Sequence, residues 1–271
     1  MHIIHKTLCK AIFFMNAITR APETTIGMPD LISMLHVAAP MHDMLQGREP
    51  MDDLDRIYEI NKPDISPDKE TLVAYLGPSG AGQDTLVDQL RKSGHDLPVA
   101  RSATTRKRRV HDDESVDAYM WMDMPVNAPD AVGSLAVKYG LLEVQAISGN
   151  YYGLPISSVR ETMLLHPGKP LLVKSDPNGL KMLRANASDE FNVIGLAVVP
   201  DDYSQLWDRI GSRANQVERM IDCMRFVVET PYITNYVIHN ICDPQNPEET
   251  IIRNAGQLGA LLKMLSHKDA A

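Results

Sequence analysis

Residues 77–86 read GPSGAGQDTL. The spacing G-x-x-x-x-G-K-[ST] turns a run of backbone N–H groups toward nucleotide phosphates, its lysine reaching the outer phosphates and its hydroxyl holding Mg²⁺. Gly77, Pro78, Ser79, Gly80, Ala81 and Gly82 keep the loop, and Thr85 follows it. Gln83 stands where the lysine belongs and Asp84 where Ser or Thr belongs. Gln83 can donate hydrogen bonds but cannot compensate phosphate charge. The loss falls on phosphoryl transfer, where positioning and neutralisation are nearly the whole of catalysis. Asp84 adds a carboxylate, a good Mg²⁺ ligand, and is the candidate metal residue.

Other segments carry groups that suit a phosphorylated ligand. Ser102-Ala-Thr-Thr-Arg106-Lys-Arg-Arg109 precedes His111-Asp-Asp-Glu114, Glu143 precedes Ser148-Gly-Asn-Tyr151-Tyr152-Gly153, and Val173-Lys-Ser-Asp176-Pro-Asn-Gly179 follows. By itself the basic run Arg101 and Arg106 to Arg109 suits a solvated face or a nucleic-acid patch. By themselves Glu143 and Asp176 suit a strand end and a turn, and Asp-Pro-Asn-Gly has turn composition.

The elements that must position these residues can be read from apolar patterning. Thr71 to Leu76 reads as a buried strand entering the glycine loop, and Thr85 to Ser93 as a helix burying Leu86, Val87 and Leu90 and stopping at Gly94. Pro170 to Val173, Val193 to Val199 and Tyr236 to His239 read as further strands. Helices are expected at Ile156 to Leu165, Tyr203 to Ile210, Gln216 to Val228 and Pro247 to Leu265. This alternation implies an α/β fold with a parallel sheet. Upstream, residues 29–60 carry helical spacing broken near Pro40 and continued by Leu54, Ile57 and Tyr58. Asn61 to Asp68, with Pro63 and Pro67, reads as a linker. We therefore expect a partly helical extension over residues 1–68 and a catalytic-type domain over 69–271.

The totals bound the function class. The chain has 271 residues, 44% hydrophobic and 23% charged, with a net charge of −8. That balance argues against general binding to nucleic acid or an anionic membrane, and no apolar run approaches the roughly 18 residues of a membrane span. Cys9, Cys223 and Cys242 are too scattered for a disulfide framework or zinc site, so a reducing, cytoplasmic setting is expected. The alternative is organelle targeting through residues 1–22, which hold Lys6, Lys10 and Arg20 and no acid.

Taken together, the glycine loop and the three segments resemble the guanylate kinase family over Thr71 to Asn240. The resemblance implies a core parallel sheet carrying the phosphate loop, a small GMP-binding subdomain and an arginine-bearing helical lid. It implies ATP and GMP as substrates, with Mg²⁺ accompanying ATP. Arg106 and Arg109 match the pair that grips the GMP phosphate, which guanidinium forks bind bidentately, and Tyr152, beside Gly153, matches a tyrosine that helps hold it. Ser102 matches a guanine contact. Glu143 and Asp176 match carboxylates that accept from the guanine N1–H and amine. Asn240 resembles the residue near the adenine of ATP. Arg209 and Arg213 resemble lid arginines, and Arg225, one residue off register, a third; such groups neutralise the phosphoryl in flight.

The pattern also fails in places. Leu154 replaces a small hydroxyl residue, Ala118 falls where a tyrosine is expected with Tyr119 one place late, and Lys174 replaces an acid. His111 to Glu114 replace a Gly-Glu, and Ala214-Asn215-Gln216 a Gly-Thr-Glu. Three readings follow: phosphoryl transfer from ATP to GMP, a catalytically inactive binding or scaffold module with a protein partner, and a kinase for another phosphorylated small molecule such as a ribose bisphosphate.

Overall fold

The computed structural model describes residues 49–51, 54, 56–108, 118–125, 130–147, 149–200, 206, 216–241, 243 and 245–266. In chain order the elements are β1 (Ile57–Glu59), β2 (Thr71–Leu76), α1 (Gln83–Lys92), β3 (Ala103–Thr104), β4 (Met120–Trp121), α2 (Ala131–Tyr139), β5 (Leu141–Ile147) and β6 (Asn150–Pro155). They continue as α3 (Ile156–Leu165), β7 (Leu171–Lys174), α4 (Pro177–Ala187), β8 (Asn192–Pro200), α5 (Gln216–Ile233), β9 (Tyr236–Asn240) and α6 (Pro247–Leu265). They fall into two compact units. One comprises the chain up to Lys62, Leu76–Lys92 and Leu196–Leu258; the other comprises Pro63–Tyr75, Ser93–Gly195 and the chain from Gly259.

In the first unit, Leu196 to Pro200 of β8 runs parallel to β9, and β1 adds an antiparallel edge with Ile57 opposite Ile238. Every β9 residue from Tyr236 to Ile238 is buried, as a strand flanked on both sides requires. The helical expectation for Leu54, Ile57 and Tyr58 is corrected here. A pattern of three apolar residues cannot distinguish a short strand from a helical turn, and pairing with β9 decides it. Asn61 donates to the carbonyls of Pro231 and Thr234 at 3.3 and 2.6 Å, satisfying acceptors that the end of α5 leaves open.

In the second unit, β2 and β7 run parallel, Leu72 opposite Leu171 and Tyr75 opposite Lys174. Asn61 to Asp68, with Pro63 and Pro67, read as a linker, yet the stretch is anchored. Buried Asn192 accepts from the Ser66 N–H and donates to the Ser66 and Lys69 carbonyls. A separate four-stranded sheet runs β4-β3-β6-β5, with β3–β4 parallel and the rest antiparallel. Ala103 and Met122 on one of its faces pack with Leu135 of α2, and Met120, Leu141 and Tyr151 close around them. Asp130 caps α2 by accepting from Gly133 N, and Gly140 ends it in the left-handed conformation.

The β5–β6 ladder contains one irregularity with functional weight. Leu141 opposes Pro155 and Val144 opposes Gly153, so β5 holds one extra residue between the two pairs. Such a bulge reverses side-chain alternation. Leu141 and Val144 face the α2 core, and Glu143 and Gln145 turn to the opposite face with Tyr152.

The strands and helices read from the sequence at Thr71, Pro170, Val193, Tyr236, Ile156, Gln216 and Pro247 are present within a few residues of their expected bounds. The expected helix at Tyr203 to Ile210 lies outside the described residues except Leu206. Asp176-Pro-Asn-Gly179 is corrected from a turn to a helix start: Asp176 is the N-cap of α4, Pro177 takes the first turn, and Oδ1 accepts from Gly179 N at 2.8 Å.

Candidate functional site

Two clusters hold the residues singled out above, one in each unit. In the first unit Leu76 leads into the glycine loop and α1 leaves it. Gly80 and Gly82 have φ of 89° and 87°, which L side chains rarely adopt. A Cβ on Gly82 would also lie 2.6 Å from Nδ2 of Asn240. Asp84 and Thr85 are exposed on the first turn of α1, where a carboxylate is favoured by the helix dipole.

The amide of Gln83 does not extend outward. Its orientation, assigned from its partners, has Nε2 donating to Gly77 O at 3.3 Å and Oε1 accepting from Gly77 N at 2.7 Å. Gln83 thus mimics a peptide unit and fastens the loop to its own first residue. Asn240, at the end of β9, donates to Ala81 O, 2.6 Å away. Asn254 of α6, fully buried, donates in turn to Asn240 Oδ1 at 2.9 Å and to Ile241 O at 2.7 Å. This chain of amides was invisible in the sequence because its members are 14 residues apart. Arg219 of α5 was missed as well: its Nη1 donates to Ser79 Oγ at 3.1 Å.

The second cluster lies on the face of β5 and β6 opposite the α2 core. Glu143 is 5% exposed, and burial pushes its carboxyl up to about 7, with nearby Asp176 adding to the rise and the hydrogen bond from Gln145 opposing it. Gln145 Nε2 donates to Glu143 Oε2 at 3.1 Å. Gly179 lets these groups meet α4: a Cβ there would overlap Ser175 Oγ and Gln145 Nε2 and sit 3.0 Å from Glu143 Oε2. Gly153 serves the same sheet, since a Cβ on it would lie 2.7 Å from the Glu143 carbonyl.

Arg106 belongs to an aromatic group. Its guanidinium carbon lies 5.5 Å from the Tyr119 ring and 6.0 Å from the Trp121 ring, within cation–π range. The Tyr119 ring meets Tyr152 edge-on at 6.3 Å. Tyr119, one position late in the sequence pattern, therefore joins Tyr152 and Arg106, and Trp121 joins with it. Thr104 Oγ1 accepts from Arg106 N and donates to Tyr151 O, and Ser102 O accepts from Met120 N. Leu154 is fully buried.

The second cluster thus unites Arg106, Tyr152, Glu143, Gly153 and Asp176 within its unit. The first unites Gly77, Ser79, Gly80, Ala81, Gly82, Gln83, Asp84, Thr85 and Asn240. Arg109, Arg209 and Arg213 lie outside the described residues; Arg225 lies in α5, its side chain outside them. Among the described residues no three His, Cys, Asp or Glu side chains converge on a metal position, and no helix is long and apolar enough to cross a membrane.

No protein-family model matches the chain. The guanylate kinase of Thermobifida fusca (strain YX) is 30% identical over 183 residues, 64% of this chain and 87% of that protein. The guanylate kinases of Synechococcus sp. (strain CC9902) and Rickettsia felis are each 31% identical, over 55% and 56% of this chain and 74% of theirs. The crystal structure of guanylate kinase from Anaplasma phagocytophilum superposes with a TM-score of 0.47 at 18% identity, covering 73% of this chain and 88% of that one. Membership rests on the sequence relatives, above all on a match that spans most of the Thermobifida protein. The chain belongs to the guanylate kinase family.

Proposed function

We propose that the chain transfers a phosphoryl group from ATP to GMP, giving ADP and GDP. The observation that carries this reading is Glu143. A carboxyl buried to 5% exposure accepts from Gln145 alone among the described residues and is held on its face by a bulge. Burial without full pairing is unfavourable unless a ligand supplies donors. The guanine edge offers two, its N1–H and amine, and Asp176 stands beside Glu143 with Oδ1 already fixed by the cap of α4.

In this reading Arg106, stacked on Tyr119 and Trp121, takes the GMP phosphate with Arg109 and Tyr152, and Ser102 borders the base beside Gly153. Gly77 to Thr85 take the ATP phosphates, Asn240 fixes the loop's carbonyl at Ala81, and Arg209, Arg213 and Arg225 neutralise the group in flight. No general base is needed, because the GMP phosphate oxygen is already a nucleophile. Asp84 fits Mg²⁺, a cation that commonly takes one or two carboxylates and leaves its other positions to phosphates and water. Bound there, Mg²⁺ would neutralise phosphate charge.

A coupled assay with ATP and each nucleoside monophosphate tests the proposal, with turnover expected for GMP above all others. A second reading, an inactive binding module, is favoured by one observation: Gln83 is turned back onto Gly77 in place of an outward cation. GMP binding with no turnover for any acceptor would select it. The third, a kinase for a ribose bisphosphate, is less favoured because Glu143 and Asp176 match carboxylates that pair with guanine; turnover with such an acceptor alone would select it.

Gly179→Ala should weaken GMP binding and lower stability by about 1–3 kcal/mol through overpacking. The added methyl meets Ser175 and Gln145 where Glu143 is positioned. Titration with GMP and thermal unfolding check it; unchanged values in both would remove α4 from the base site.

A further inference from the structure

We propose that Arg219 supplies from α5 the positive charge that the phosphate loop lost at position 83, so that ATP phosphates are met by a helix-borne guanidinium. This deepens the kinase reading and rests on it. The loop from Gly77 to Thr85 carries no cation of its own, and Asp84 makes its formal charge negative. Its Gln83 amide is committed to Gly77. Arg219 Nη1 meets the loop at Ser79 Oγ, 3.1 Å away. That acceptor is neutral, the contact positions the guanidinium at the loop, and a guanidinium has five N–H donors to share.

A second contact fixes the helix against the loop. Arg219 and Cys223 stand four residues apart, on one face of α5. The Ser79 backbone N–H hydrogen-bonds the buried Cys223 sulfur. Ser79 is therefore held by one turn of helix through both its side chain and its backbone. A cation on a docked helix needs no reach of its own, whereas the usual lysine extends from the loop. Arg219 lies off the register of the arginines read from the sequence, which is why spacing did not find it.

Titration calorimetry with ATP–Mg²⁺ on the whole chain tests this, with GMP as the control ligand and thermal unfolding as the check on folding. Arg219→Gln should weaken ATP binding about 10- to 100-fold, the range of a charge-assisted hydrogen bond, and leave GMP affinity unchanged. Adding Gln83→Lys to Arg219→Gln should restore ATP binding, because the charge returns from the loop; a purely structural loss would persist in that background. Arg219→Lys should retain more affinity than Arg219→Gln. Wild-type ATP affinity in Arg219→Gln, no rescue by Gln83→Lys, or equal loss in Arg219→Lys would each overturn Arg219 while leaving the kinase reading intact. A wild-type chain that binds GMP but not ATP–Mg²⁺ would overturn both.

Discussion

Gln83→Lys should raise the rate of GMP phosphorylation about 10- to 100-fold in kcat. The expectation follows from what the glutamine does in the structure. Its amide both donates to and accepts from the Gly77 backbone, so it is spent within the loop. A lysine ammonium has no acceptor to return to Gly77 N. The side chain is freed to extend, and its charge becomes available to the outer phosphates. The gain should stay below the thousandfold or more that a transition-state cation can be worth, because Arg219 already brings charge to the loop. The same substitution removes the pairing at Gly77 and should lower stability by about 1 kcal/mol. A coupled assay and thermal unfolding of both proteins measure the two effects together. A rate that does not move, in a variant that still binds ATP and GMP, would show that transfer is limited elsewhere in the site.

Glu143→Gln should lower kcat/KM for GMP about 10- to 100-fold and flatten its pH dependence. In the free protein burial holds the carboxyl near 7, up from an ordinary 4.5. A base that offers only donors needs the ionised form, so below pH 7 binding must expel a proton. GMP affinity should therefore rise about tenfold from pH 6 to pH 8 and level off above that. For the unliganded fold the sign is opposite. Between pH 4.5 and about 7 the native state holds a proton that the unfolded chain has lost, so stability falls as pH rises through that window. A phosphate monoester loses its second proton near pH 6 as well, which makes the glutamine variant the necessary control. If both proteins show the same pH profile, Glu143 does not face the base.

Much of the frame was legible because strand, glycine loop and helix share one short window, and because the buried part of strands such as Tyr236 to Ile238 is apolar. The four-stranded sheet was not anticipated. Its β3 and β4 are two residues each, too short for any periodicity, and β5 alternates imperfectly across its bulge. That bulge decides where Glu143 points, and no local residue pattern announces it. Tyr119 was set aside on spacing alone, yet an irregular approach to β4 brings it to Arg106. Asp176 and Pro177 offered a readable signal, since an N-cap acid followed by proline opens a helix as readily as it makes a turn. Arg219 and Asn254 left none. Their partners lie 140 and 14 residues away, and only tertiary packing joins them.

The amide chain from Asn254 through Asn240 to Ala81 has a consequence for the far end of the protein. The shape of the glycine turn is inherited from the C-terminal helix, which serves as its foundation. Trimming the chain back past Asn254 would thus deform the anion cradle itself, although more than 150 positions of sequence separate it from the cut.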